Sequence, residues 1–250
     1  NITGNANVKI QFIYDGTILY NGFYNGYYFW QIDDIVLMET PPYLLEIDNV
    51  NYSAISTTTG LAVNYTIKPL NQSNNSPYQF EGELINIGGQ NLQNSQLNVV
   101  VNKVGTGQVF SDNSTNITLN TGSTYLAFTN NTYSPNNTGS YEINFFGSSD
   151  SINSTDTIIL TTYISDTVYA RDENNIDGNW RVGRSCGGIT LGNRYEIFDT
   201  DILTSVSAHI SNYSVLGAQM YAVLYEVDTQ YNDFIYLAQS DDYTITNSDL

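Results

Sequence analysis

Gln96-Leu97-Asn98-Val99-Val100-Val101-Asn102-Lys103 is the stretch that decides the fold class. Leu97, Val99 and Val101 fall on one side and Asn98, Val100 and Asn102 on the other, the two-residue period of a strand with one face against a core. Tyr141-Glu142-Ile143-Asn144-Phe145 repeats it further along, with Tyr141, Ile143 and Phe145 on the inner side. Outward from these two runs, strand patterns are read at 61–67, 78–87, 114–119, 123–128, 140–146 and 155–163, separated by clusters of Asn, Ser, Thr and Gly. That spacing predicts two packed sheets joined by Greek-key connections, and hence an all-β chain of tandem sandwich modules.

Composition points the same way. Only 13% of the 250 residues are charged while 21 are Tyr, so solubility rests on neutral polar groups that suit strands and turns. Against 25 Asp and Glu there are 7 Lys and Arg, a formal charge of −18 that repels phosphate backbones and anionic lipid. Nucleic acid and membrane surfaces are therefore poor partners. Cys186 is the single cysteine and cannot form an internal disulfide, which leaves packing, sheet hydrogen bonds or metal ions to stabilise the fold. No apolar run reaches the roughly 18 residues of a spanning helix. The start at Asn1-Ile2-Thr3, without an initiator Met or a signal peptide, leads us to expect a segment of a longer protein.

Before the alternating core the chain reads differently. Val8, Ile10 and Phe12 define a strand stopped by Asp15-Gly16, and Phe29-Trp30-Gln31-Ile32-Asp33-Asp34-Ile35-Val36-Leu37 places Trp30, Ile32 and Asp34 on one face. Pro41-Pro42 then breaks the pattern, because proline cannot donate to a ladder and restricts the residue before it. Residues 1–40 are thus expected to be the last strands of one domain, too few to bury a core alone. Residues 41–165 would form an immunoglobulin-like sandwich. Residues 166–250 would form a third, incomplete sandwich with strands at 194–198, 203–210, 219–227 and 234–239.

These residues carry a family resemblance. Tyr28-Phe29-Trp30-Gln31-Ile32-Asp33-Asp34-Ile35-Val36-Leu37 resembles the last strand of jelly-roll domains of the MAM and carbohydrate-binding-module type. Phe80-Glu81-Gly82-Glu83-Leu84-Ile85-Asn86-Ile87-Gly88-Gly89, followed by Leu97 to Val101, resembles the CARDB-type immunoglobulin-like domains of bacterial surface proteins. Asp166-Thr167-Val168-Tyr169-Ala170-Arg171-Asp172, with Tyr221-Ala222-Val223-Leu224-Tyr225 downstream, is similar to repeated sandwich modules of surface proteins exported by the type IX secretion system. The resemblance implies an extracellular or cell-surface location. The sorting domain that ends such proteins is not in the sequence, so the export route is implied by relatives alone.

The resemblance also implies ligands. In jelly-roll relatives an Asp of the matching strand ligates a structural Ca²⁺, which takes six to eight oxygens; Asp34 is the first candidate and Asp33 the second. The competing reading is a solvated acidic edge. Tyr24, Tyr27 and Tyr28, with Tyr20 and Phe23, cluster among Asn and Gly and could stack on sugar rings, although cross-strand packing uses tyrosines in the same way. Ser151, Thr157 and Thr167 each follow an Asp and precede an aliphatic residue, which resembles the O-glycosylation signal of the same secreted families. The Asn-x-Ser/Thr sites at Asn51, Asn64, Asn113, Asn116 and Asn212 arise from composition.

Catalytic patterns fail on their context. Gly183-Arg184-Ser185-Cys186-Gly187 matches the nucleophile-elbow spacing, which needs a following helix and a His within reach. The residues after Gly187 read as turn and strand, and the single histidine, His209, falls in the 203–210 pattern. The acidic run 172–179 has its Asp177-Gly178 one place late for a Ca²⁺ loop and no closing Glu. One His and one Cys argue against a zinc site.

The sequence therefore reads as a non-catalytic structural or adhesive segment of a multidomain extracellular bacterial protein. Its expected partners are other domains of that protein and possible surface glycans or protein subunits. Two alternatives stand beside it: the accessory region of a secreted hydrolase, and a subunit of an extracellular filament or surface complex.

Overall fold

The computed structural model describes residues 19–20, 23–24, 40–52, 64–172, 187–228, 230–231 and 233–250. The chain divides into two compact units, Asn1–Glu39 and Thr40–Leu250. In the first, β1 (Leu19–Tyr20) pairs antiparallel with β2 (Phe23–Tyr24), Leu19 opposite Tyr24 and Tyr20 opposite Phe23. The strands expected at 8–14 and 29–37 lie outside the described residues.

The second unit opens with β3 (Leu45–Asn51), β4 (Ile67–Pro69) and the short helix α1 (Leu70–Asn75). Then follow β5 (Glu81–Asn86), β6 (Leu92–Lys103), β7 (Gly107–Asn113), β8 (Ile117–Leu119), β9 (Thr124–Phe128), β10 (Gly139–Ser148) and β11 (Ile158–Ser165). One sheet runs β4-β11-β10-β6-β7 with β8 beside β6, and the other runs β3-β5-β9. β4 and β11 are parallel and the other pairings are antiparallel. Because β6 pairs with β10, the chain between them leaves for the second sheet at β9 and returns, which makes an immunoglobulin-like β-sandwich.

Between the sheets lie the alternating residues that the sequence singled out. Leu97, Val99, Val101, Tyr141, Ile143 and Phe145 are buried, and Ile143 sits opposite Val101 and Phe145 opposite Val99. Leu45, Ile47, Leu84 and Ala127 face them from the second sheet's strands, with Phe80 beside them. Each such large side chain contributes about 1.5–3 kcal/mol by leaving water. Gly82 and Gly147 have no side chain because a Cβ there would crowd Val50 and Leu97, or Leu45 and Leu84, at 3.0–3.3 Å.

β3, β7 and the helix were not legible. β7 is an edge strand whose side chains are exposed or half-buried, so it carries no alternation to read. α1 consists mostly of Asn, Gln and Ser, poor or indifferent helix formers, and is held instead by the burial of Gln72 and Ser73 and by Ser73 Oγ donating to Pro69 O at 3.1 Å. The Pro41-Pro42 break also acquires a role: both carbonyls accept, from the N–H groups of Gly89 and Gln90, at 2.8 Å each.

Beyond β11 the expectations need correction. The predicted strands at 194–198 and 203–210 are not formed, since no strand spans 187–218. The predicted strand at 219–227 is split into β12 (Gln219–Met220) and β13 (Val223–Asp228). β12 pairs with β15 (Tyr243–Thr244), and β13 pairs with β14 (Asp233–Gln239), forming two separate two-stranded sheets.

Candidate functional site

Several sequence candidates lie outside the described residues: Asp33, Asp34, Tyr27, Tyr28, Ser185, Cys186 and most of the 172–179 run. Tyr24 lies in β2, paired with Leu19. Of the elbow pattern only Gly187 is described; no helix follows it through residue 210, and His209 is exposed in a stretch without strand structure. Among the described residues no group of three or more His, Cys, Asp or Glu is arranged to hold a metal ion.

The three hydroxyls are described, and the fold gathers them around one strand. Ser151 lies in the connection between β10 and β11, Thr157 immediately precedes β11, and Thr167 follows its end. All three residues are exposed, and none of their side-chain oxygens is engaged in a hydrogen bond among the described residues. Exposure on connecting segments is what an enzyme attaching a sugar requires.

A second constellation was missed from sequence: the shoulder made by β4, α1 and Tyr65. Lys68 is 2% exposed, and its Nζ donates to Ser76 O at 2.8 Å. It lies 5.0 Å from the Phe198 ring, 5.7 Å from Tyr78 and 6.0 Å from Tyr65. Burial pushes its pKa down to about 8, and the Glu196 carboxylate pulls part of that back. Arg171 stacks its guanidinium 5.1 Å from Tyr65 and 5.5 Å from Tyr195. Its Nε and Nη2 are buried with no hydrogen-bond partner among the described residues, and the two aromatic faces offset their desolvation.

Residues 194–201 run across this shoulder, and side chains take the place of a neighbouring strand. Tyr65 Oη accepts from Glu196 N at 2.8 Å, and Tyr169 Oη donates to Glu196 O at 3.3 Å. Gln72 Oε1 accepts from Phe198 N at 2.8 Å and from Asp199 N at 3.0 Å, while Gln72 Nε2 donates to Asp199 O at 2.9 Å. Asn71 Nδ2 and Gln72 Nε2 both reach Asp201 Oδ2 at 3.3 Å. That carboxylate is held below its ordinary pKa, first by the Ile202 N–H and then by these two amides. Backbone groups satisfied by side chains explain why residues 194–198, expected as a strand, join no sheet.

Further on, β13 and β14 leave large apolar side chains in solvent: Phe234 is 67% exposed, and Leu224, Tyr225, Ile235, Tyr236 and Leu237 are exposed with it. Tyr225 packs edge-on against Phe234 and Tyr236, with ring centroids 6.0 and 6.2 Å apart. A sheet of only two strands has little else to bury them against.

No protein-family model matches the sequence, and the search of curated proteins finds no relative. Among solved structures the chain is similar to the CARDB domain of the PF1109 protein of Pyrococcus furiosus, crystallised in complex with di-metal ions. The identity is 14%, over 52% of this chain and 97% of that one, with a TM-score of 0.32. It is also similar to the C-terminal domain of wzt, at 12% identity over 56% of this chain and 92% of that one, TM-score 0.35. The putative ApaA protein of Bordetella pertussis matches at 12% identity over 54% of this chain and 100% of that one, TM-score 0.28.

Proposed function

We propose that this chain is a structural and adhesive segment of a larger extracellular or cell-surface bacterial protein, in which sandwich modules act as spacers and binding surfaces. The observation that carries the reading is a division of labour. A sandwich with a fully buried core is followed by strands that turn Phe234, Ile235, Tyr236 and Leu237 outward. The exposed hydroxyls of Ser151, Thr157 and Thr167 support surface modification, and type IX export with Ca²⁺ at Asp34 and Asp33 belongs to the same proposal. Module boundaries near 40 and 165 are part of it.

The test is surface proteolysis of intact source cells followed by mass spectrometry. Peptides of this chain released before lysis are expected; recovery only after lysis overturns the surface assignment. The non-catalytic part is tested by assaying the purified chain against proteins, esters and polysaccharides, where turnover lost on mutating Ser185 or Asp34 would end it. A second reading, a subunit of an extracellular filament or complex, is favoured by the outward apolar residues of β13 and β14. Electron microscopy of the native material showing only monodisperse monomers counts against that one.

A further inference from the structure

We infer that residues 194–201 are a docked strap that fastens the chain following the sandwich onto the β4–α1 shoulder, so that the two move as one body until the strap is released. The inference is independent of the proposed function, because such a latch would serve a spacer, an accessory region or a subunit alike.

The bonds run in one direction. Among the described residues, the bonds that tie the strap's backbone to the shoulder and the segment next to it come from side chains: Tyr65, Tyr169 and Gln72. Gln72 is fully buried, and both ends of its carboxamide are used on the strap, with two N–H groups on the oxygen and one carbonyl on the nitrogen. Lifting the strap would strand a buried amide unless water replaced these three bonds and a fourth, from Nε2 to Asp201 Oδ2, which is what makes the docked position the stable one. Phe198 adds the nearest aromatic face to the Lys68 ammonium, and Tyr195 closes one side of Arg171. Two cations of a chain that has only 7 are thus covered by strap residues.

A pendant linker would behave otherwise. Its backbone would be solvated, its residues would exchange freely, and the shoulder would be shaped for no particular neighbour. Here the register is specific, because Glu196, Phe198 and Asp199 supply the bonded groups and Asp201 reaches back to Asn71 and Gln72.

The experiment uses the full 250-residue chain, with amide hydrogen exchange and trypsin cleavage after Arg194 as readouts. The wild type is expected to protect the amides of Glu196, Phe198 and Asp199. Gln72→Ala is expected to raise exchange at Phe198 and Asp199, and cleavage after Arg194, by about tenfold, with β6 and β10 unchanged. Should Gln72→Ala also expose β6 and β10, Phe198→Ala, which alters the strap and leaves the sandwich core intact, is expected to give the same local rise. Unprotected strap amides in the wild type, or no change in exchange or cleavage with a folded Gln72→Ala or with Phe198→Ala, would overturn the inference.

Discussion

The Lys68 ammonium lies 5.0 Å from the centroid of the Phe198 ring, a contact that joins a strand of the sandwich to residues far along the chain. Tyr78 and Tyr65 close two more sides, and Ser76 O accepts a hydrogen bond from Nζ. One carbonyl and three ring faces are a thin replacement for water around a cation. The lowered pKa, about 8, follows from that.

This predicts an unusual alkaline profile. Below pH 8 Lys68 is protonated in the folded and the unfolded chain alike, so its burial is a constant cost. Between about 8 and the ordinary value near 10.5 the unfolded chain holds the extra proton, and stability rises with pH, by at most about 3 kcal/mol. Burial raises the pKa of Tyr78, Tyr169 and Tyr133, the last to about 12. The unfolded chain therefore loses tyrosine protons first above pH 10, and stability falls there. Urea titrations from pH 7 to 11 are expected to peak near pH 10, and Lys68→Met is expected to abolish the rise while leaving the fall.

Gly88 gives a sharper test of packing. A Cβ there would meet Leu44 N at 2.6 Å and Pro42 O at 2.9 Å, both backbone atoms that cannot swing aside, whereas at Gly89 the nearest atom is Pro41 O at 3.7 Å. Gly88→Ala is expected to destabilise by about 1–3 kcal/mol in urea unfolding, and Gly89→Ala by less than about 0.5 kcal/mol. Equal effects would mean that the junction between Pro42 and the end of β5 is looser than its geometry.

The same assay checks the central sheet. Phe145→Ala removes a fully buried ring opposite Val99 and is expected to cost about 3–5 kcal/mol, while Ile159→Ala, 56% exposed on the neighbouring strand, is expected to stay within about 0.5 kcal/mol. Strands with one buried face announced themselves in the sequence because burial imposes a period of two. Leu97, Val99, Val101, Tyr141, Ile143 and Phe145 were all placed inward on that ground. β7 could not be read so, being an edge strand on which Phe110 and Asp112 are only half-buried and no side chain is fully buried.

The shoulder was illegible for a different reason. Lys68 and Arg171 meet Tyr65 directly, but their remaining aromatic faces and the bonds of Gln72 come from residues 194–201, more than a hundred positions along from Gln72. No local pattern encodes a contact of that range. The one signal within reach was Lys68 itself, a rare cation in Ile67-Lys68-Pro69-Leu70, flanked by residues that belong in a core. A strand was expected at 194–198, and none forms there: the backbone of Glu196, Phe198 and Asp199 is bonded to side chains in place of a neighbouring strand.

Calcium at Asp34 is testable without further geometry. Titrating Ca²⁺ into the EDTA-treated chain is expected to raise the melting temperature, as any ligand of the native state does, through about 2.7 kcal/mol of added stability at a hundredfold excess over Kd. Asp34→Asn is expected to remove the rise and Asp33→Asn to weaken it. An unchanged melting curve in the wild type would mean that Asp33 and Asp34 hold no Ca²⁺.

Ser151, Thr157 and Thr167 are the hydroxyls expected to carry sugar. All three residues are exposed around β11, whereas Ser73, Ser95, Ser114 and Thr162 are buried and hydrogen-bonded. A glycosyltransferase acting on the folded chain would need both an accessible hydroxyl and a free one. Mass spectrometry of the native protein is therefore expected to find sugar on the first three and none on the other four. Sugar on buried Ser95 or Thr162 would mean that modification precedes folding, and bare Ser151, Thr157 and Thr167 would remove the signal altogether. Replacing the preceding Asp150, Asp156 and Asp166 by Asn separates the two requirements: loss of sugar with unchanged exposure would assign recognition to the carboxylate and not to accessibility alone.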